Sequence, residues 1–572
     1  MSIGDRAGNT PSPVSPAELL GVLIVALTLT LAFTQARQRA LDPIIDTGRD
    51  LYVATQLAAG ERLYGNFVYN YPPLVPYLLS GVVATFGASL LVFEITGAVI
   101  GFLTIAASYW IARNLGGPLS AFLVSLMIAA LSFAGASTWG ANYLFPYSYS
   151  ATMGMLFLLF FFGALLRFIF NGRAPMSFAI MLLCGLAASW SKLEYFVVVA
   201  VAFAVATFVH RFSLRSIATA AAALAGSLFL WCTLLGKHPF DVTWIEENLL
   251  RSSLLEGTSA SFFYGQVSGT ANWPATLLGA AAGAALTVLF VGFLHLLARS
   301  TGSSVPTRVF PIILILLGIS TVTLLLSSSN LFFRGWTILQ LAALVFAPVR
   351  DRRSPLFLLA VFSIASTLRV ALNVTPQWYG FVLIVPVEIL AAYVLCRELP
   401  RRGVYPARFA LLFLPLVLLL SFNGLREQRE RFEMKRYPLQ TDRGLLYDVN
   451  PARALALQEM LAEVRRLGRP MMVVMPEGLS LNYFSATRTP LRHYLFTPPE
   501  SGDPQMERAL ITEIEKARPP LIAVVHRDVS EFGSRGFGLD YNQELLSYTR
   551  RHYTLVRGWT DERFQCVLLR RR

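Results

Sequence analysis

Long apolar runs separated by short polar connections fill residues 17 to 424, and a mixed, more polar pattern takes over from residue 426. Runs able to cross a hydrocarbon layer of about 30 Å fall at 17–36, 88–112, 118–138, 150–170, 176–190, 193–209 and 216–235. Others follow at 274–298, 308–328, 332–349, 355–372, 378–397 and 407–424. The pattern predicts about thirteen transmembrane helices, with 176–190 and 193–209 the hardest pair to separate. Leu19 to Phe33 has the length of a signal-peptide core, but TQARQRALD behind it offers a poor small-residue cleavage site, which favours an uncleaved first helix. Three connections exceed simple turns: 37–87, 236–273 and the tail.

In the tail, Asn450-Pro451 reads as an N-cap followed by Pro in the first helical turn. Leu457, Met460, Leu461, Val464 and Leu467 then recur on one helical face until Gly468 stops the helix. The runs 471–475 and 521–525 predict buried strands, with helices near 505–517 and 541–550. Runs near 553–556 and 565–570 would complete a sheet. The expected organisation is a transmembrane domain over 1–425 and a small α/β domain over 426–572.

Composition agrees with a membrane protein: mean hydropathy is +0.55, 55% of residues are hydrophobic and 14% are charged. The net charge of +14 does not point to nucleic acid, because much of the basic excess sits in short loops between apolar runs. Those loops carry Arg113, Arg167, Arg173, Arg211, Arg215, Arg299 and Arg350, whereas Asp42, Asp46, Asp50, Glu61, Asp241, Glu246, Glu247 and Glu256 lie in the opposite ones. The positive-inside rule therefore puts the N-terminus in the cytoplasm and the tail outside. Four scattered cysteines imply neither a disulfide framework nor a zinc site, and the six histidines show no ligand spacing.

Candidate chemistry gathers in the outer segments. Asp46 and Asp50 stand four apart with Arg49 between them, where the first span leaves the membrane. Carboxylates there carry a desolvation cost that a plain turn does not require. One of them could serve as a general base that takes a proton from an attacking hydroxyl. A solvated loop face is the competing reading. Lys192 and Glu194 lie at another outer turn, where an interfacial ion pair competes with a phosphate or sugar contact. Arg334 and Arg369 lie at outer ends of late spans, where topological anchoring competes with stabilisation of a departing phosphate.

The stretch Asp46-Thr47-Gly48-Arg49-Asp50, then a helix ending in Gly, then Leu63-Tyr64 and Tyr71-Pro72-Pro73-Leu74, resembles the first periplasmic loop of bacterial GT-C transferases. These include protein mannosyltransferase-like and lipid A aminoarabinose transferase-like enzymes that use polyprenyl-phosphate sugars. The resemblance implies a catalytic base at Asp46, with Asp50 at the second acidic position. Gly65-Asn66 departs from it, since many relatives are acidic there. ANYLFPYSYS (141–150), SWSKLEY (189–195) and the segment around Arg369, Asn373 and Tyr379 resemble further parts of the same family. Segments 475–490 and 531–541 resemble its C-terminal region, either touching acceptor or only closing the fold.

The expectation is thus an inverting glycosyltransferase of the bacterial inner membrane. It would move a sugar from a polyprenyl phosphate to a lipid, glycan or protein acceptor at the periplasmic face. Asp46 and Asp50 are its catalytic candidates; Arg49, Tyr64, Tyr71, Asn142, Tyr147, Lys192, Glu194, Arg334, Arg369 and Tyr379 are its substrate-binding candidates. A divalent cation at Asp46 and Asp50 is left open by the sequence. Rival readings are a lipid-linked glycan flippase or transporter, an O-antigen ligase or polymerase-like protein, and a membrane-anchored assembly protein.

Overall fold

The computed structural model describes residues 16–134, 141–238, 243–250, 258–300, 333–347, 354–561 and 564–572. Among these, eight helices are long and apolar enough to cross a membrane, and five shorter apolar helices accompany them. Every expected span falls on one of these helices except 308–328, which lies outside the described residues. Expected spans 176–190 and 193–209 are separate helices, Pro175–Ser189 and Leu193–His210, broken at Trp190–Lys192. Side chains such as Leu23 and Leu278 are 57% and 73% exposed with no protein cover, as a lipid-facing surface requires. The chain is a multi-pass membrane protein.

The first long connection is more ordered than a loop. After α1 (Pro16–Ala36), it folds into α2 (Gly48–Ala58) and the apolar α3 (Leu74–Phe86), before α4 (Leu90–Gly116) re-enters the bundle. α2 is buried along nearly its whole length, because the 141–150 segment covers one side and the tail helix Leu479–Ser485 another. The Thr47 hydroxyl donates to the carbonyls of Phe145 (3.2 Å) and Pro146 (2.9 Å). Gly48 allows the closest approach: a Cβ there would lie 2.4 Å from the Ser480 Cβ and 2.6 Å from its backbone nitrogen.

Beyond the helix Phe413–Met434 the chain forms a hairpin, β1 (Tyr437–Thr441) and β2 (Gly444–Asp448). The sequence pattern did not predict it; Pro438, which has no N–H to donate, is accommodated because each strand of a two-stranded ribbon is an edge strand. The helix Pro451–Arg466 follows, its Asn450 side chain accepting from the Ala452 and Arg453 N–H groups. β3 (Met472–Met475), β4 (Leu521–Val525), β5 (Tyr553–Asp561) and β6 (Phe564–Arg571) then make a four-stranded sheet in the order β3-β4-β6-β5. Only β3 and β4 run parallel, Met475 facing Val524, so their carboxyl ends open on the same edge.

That edge docks on the first connection. Tyr52 accepts from the Thr489 N–H (2.9 Å), the Val68 N–H donates to the Arg492 carbonyl (2.9 Å), and Arg453 pairs with Asp42 (3.2 Å) as well as Asp448 (2.7 Å). Lys435 donates to the carbonyls of Arg39 (2.7 Å) and Leu41 (3.1 Å).

Candidate active site

Asp42 sets the entry to the site. Its carboxylate accepts from the Ile44 and Ile45 N–H groups (2.9 and 3.1 Å) and turns the chain just before Asp46. Asp46 has φ +59°, a left-handed conformation in which Asp is one of the better-tolerated residues. Its N–H donates to Glu477 Oε1 at 2.8 Å. The other Glu477 oxygen accepts from Arg527 Nε at 2.8 Å, and Arg527 also pairs with Glu531. The Glu477 and Arg527 side chains are each 8% exposed. Burial and then the Glu477 charge push the Asp46 carboxyl above its ordinary value, against the pull of Arg49 and Arg527.

Asp50 has a different environment. One oxygen accepts from the Tyr69 hydroxyl (3.0 Å) and Arg49 Nε (3.3 Å), and the other from the Tyr149 N–H (2.7 Å). The Arg49 guanidinium continues to the Tyr147 carbonyl (3.1 Å) and lies 4.7 Å from the Tyr71 ring centre. Asp50 thus anchors Arg49 and ties α2 to the bundle. A divalent cation shared by Asp46 and Asp50 would compete with these contacts, since both Asp50 oxygens accept hydrogen bonds and the Arg49 guanidinium stands at its carboxylate.

The cationic half of the site comes from the bundle. Lys192 Nζ lies 2.6 Å from Glu194 and donates to the Tyr147 hydroxyl at 2.8 Å. Arg369 reaches the other Glu194 oxygen at 3.1 Å and lies 4.1 Å from the Tyr379 ring centre, with Tyr264 at 5.3 Å. Tyr147 packs edge-on against Tyr379 at 4.6 Å. The Lys192 side chain is 4% exposed but that of Arg369 is 23% exposed, so Arg369 is the more open of the two. Burial pulls the Lys192 ammonium down to about 8, although Glu194 opposes the shift. Lys192 lies 5.8 Å from the ring centres of both Tyr71 and Tyr379, Tyr71 also faces Arg49 and Tyr379 faces Arg369, so these tyrosines stand between the two halves.

The structure therefore brings together Asp46, Arg49, Tyr71, Tyr147, Lys192, Glu194, Arg369 and Tyr379. Three other candidates stand apart. Asn142 is turned inward, donating to the Ala40 carbonyl (3.2 Å) and accepting from the Phe145 N–H (2.7 Å), which braces the segment that holds Tyr147. The Tyr64 hydroxyl donates to the Tyr71 carbonyl (2.5 Å) and its ring packs on Trp244 at 5.3 Å, so it supports Tyr71 from behind. Arg334 is half-buried before the helix Trp336–Phe346, and no described contact joins it to Lys192, Glu194 or Arg369.

Glu477 and Arg527 were not among the expected residues. Each lies two positions beyond the carboxyl end of one of the two parallel strands. Crevices at such ends are where α/β sheets bind ligands, and that signal was readable once both strands were paired. Glu477 also lies inside the tail segment whose role the sequence left open.

No protein-family model matches the sequence, and no curated protein matches it by sequence. Solved structures do match by shape. ArnT from Cupriavidus metallidurans bound to undecaprenyl phosphate superposes with a TM-score of 0.51 over 97% of this chain and 98% of its own, at 14% identity. The oligosaccharyltransferase of Archaeoglobus fulgidus in the apo form gives 0.49 over 94% of this chain and 73% of its own, at 12% identity. With the ArnT likeness running over nearly the whole of both chains, transmembrane bundle and C-terminal β-containing domain alike, this chain has the GT-C fold.

Proposed function

We propose that the chain is an inverting glycosyltransferase that takes a sugar from a polyprenyl phosphate and attaches it to a lipid, glycan or protein acceptor at the outer face of the bacterial inner membrane. The observation that carries this reading is a convergence: Asp46 accepts through its carbonyl from the Arg49 N–H (3.0 Å), Arg49 lies 4.7 Å from the Tyr71 ring centre, Lys192 lies 5.8 Å from the ring centres of both Tyr71 and Tyr379, and Arg369 lies 4.1 Å from Tyr379. ArnT from Cupriavidus metallidurans, a solved structure of like fold, holds bound undecaprenyl phosphate.

In the reaction, Asp46 as carboxylate takes the proton of an acceptor hydroxyl while the oxygen attacks the anomeric carbon from the face opposite the phosphate. The bond from that carbon to the phosphate oxygen breaks, its electron pair leaving with the polyprenyl phosphate. Arg369, with Lys192 beside it, neutralises the growing charge on the leaving phosphate, which favours the transition state over the ground state. Glu194 holds both cations in place. Arg49 is kept near the reacting groups by Asp50, which we assign to positioning rather than to chemistry. No step needs a cation between the two aspartates.

A transporter reading receives less support, because these charges collect at one end of the bundle with the tail docked over them. The donor assignment is tested by native mass spectrometry of the full-length protein in nanodiscs. Undecaprenyl phosphate should be retained, the neutral alcohol undecaprenol should not, and Arg369→Ala should weaken retention. Equal retention of both lipids would remove the phosphate from the account.

A further inference from the structure

The carboxylate of Glu477 is placed by the tail, not by the membrane bundle, and it meets the Asp46 backbone rather than solvent. Three observations show a built arrangement. β3 and β4 deliver Glu477 and Arg527 from equal positions beyond their carboxyl ends, so a rigid parallel pair fixes both side chains. Glu477 is spanned end to end, one oxygen on the Asp46 N–H and the other on Arg527 Nε, both at 2.8 Å. Gly48, two residues on from Asp46, lets the Leu479–Ser485 helix approach closely enough to hold this contact.

We propose that Glu477 is a positioning residue for Asp46, contributed by the C-terminal domain and tethered by Arg527, so that the tail completes the reaction site. This rests on the reading of Asp46 as the general base. The hydrogen bond holds the left-handed backbone that aims the Asp46 side chain. The neighbouring negative charge makes that carboxylate a stronger proton acceptor, since two adjacent carboxylates resist ionising together. Arg527 keeps the pair from being doubly uncompensated. The charged and titratable groups that act on Asp46 or respond to it are Glu477, Arg527 and Glu531 from the tail, Arg49 and Tyr71 from the first connection, and Tyr379 just before the short helix Gly380–Leu383.

The test uses membranes from the native host, opened so that both faces meet the buffer; these supply donor and acceptor without either being identified. The product is defined as the glycolipid or glycan mass that accumulates with wild type and not in membranes from cells lacking the protein. Its rate of formation is followed from about pH 5 to about pH 9 at matched protein levels. Glu477→Gln keeps an oxygen for the Asp46 N–H but removes the charge. Its half-maximal pH should move below that of wild type, with a lower plateau. Arg527→Gln should move the half-maximal pH the other way, a direction that loss of folded protein does not produce. If Glu477→Gln fails to accumulate, the Arg527→Gln shift decides. Unmoved profiles in both variants, with Asp46→Asn inactive, would overturn the proposal alone. Full product with Asp46→Asn would instead overturn the base assignment beneath it.

Discussion

Asp46 and Glu477, 431 positions apart in the chain, are joined by a 2.8 Å hydrogen bond from the backbone N–H of the first to the carboxylate of the second. The contact makes the membrane bundle and the tail parts of one site. Since the bond fixes a backbone group, it constrains where the Asp46 side chain points, and the geometry of the proposed base depends on how the tail docks on the first connection.

The cationic half of the site has its own pH signature. Burial lowers the Lys192 ammonium to about 8, so rising pH removes its proton well before an ordinary lysine would lose it. Affinity for undecaprenyl phosphate should therefore fall as pH passes about 8. Lys192→Met should bind more weakly at neutral pH and lose that pH limb, leaving the pH-insensitive contribution of Arg369. Titrated binding in nanodiscs checks both outcomes.

Arg369 offers a planar fork, pairs with Glu194 at 3.1 Å and lies against Tyr379 at 4.1 Å. A lysine keeps the charge but not the fork or the stacking. Arg369→Lys should lower the rate of product formation by roughly 100-fold, the scale seen when one donor to a developing oxyanion is removed. The measurement is product formed per folded protein in membranes; a change of less than about threefold would remove Arg369 from the chemistry.

The fold was legible because a bilayer imposes a length and polarity on each span, and the runs from 17–36 to 407–424 satisfy both. The candidate cluster was legible only in part. Asp46, Lys192 and Arg369 could be picked out because charge at the end of an apolar run is costly unless it is used. Asp50 carried the same signal, yet its oxygens are taken up by Arg49, Tyr69 and the Tyr149 N–H. Local sequence does not distinguish a carboxylate spent on structure from one left to react. Asn142 misled for a like reason, since its amide is consumed by Ala40 and Phe145. Glu477 was hidden by distance, because its meaning depends on a parallel strand pairing and a docking contact that no short window contains.

Gly48 provides a steric test of docking. A methyl group there would meet Ser480 Cβ at 2.4 Å and its backbone nitrogen at 2.6 Å, so the tail helix must shift rather than a side chain alone. Gly48→Ala should lower stability by about 1–3 kcal/mol, as overpacking does, and reduce product formation through the loosened Asp46–Glu477 contact. Thermal unfolding of the detergent-solubilised protein and the membrane assay measure the two effects.

Arg453 is the other hinge of the docking. It serves Asp42 and Asp448, both buried, and Arg453→Ala would leave the two carboxylates with Lys435 as their remaining neighbouring cation, at about 3–5 kcal/mol. Burial pushes the Asp42 carboxyl up, but Arg453 and Lys435 together hold it below its ordinary value. A carboxyl depressed on folding adds stability above its unfolded pKa of about 3.9 and loses it as pH falls through the folded value. Wild type should therefore be more stable than Arg453→Ala near neutrality, and the gap should narrow below about pH 4. Melting curves of both proteins across that range give the answer.

The central claim is that Asp46 removes the acceptor proton, and the most direct measurement is a mass comparison of glycolipids and surface glycans from cells making wild type or Asp46→Asn at equal levels. The account predicts that one glycosylated product falls by about 100-fold or more with the asparagine variant, while the protein melts as wild type does, and the missing mass identifies the sugar. An unchanged product profile with normally folded Asp46→Asn would contradict it.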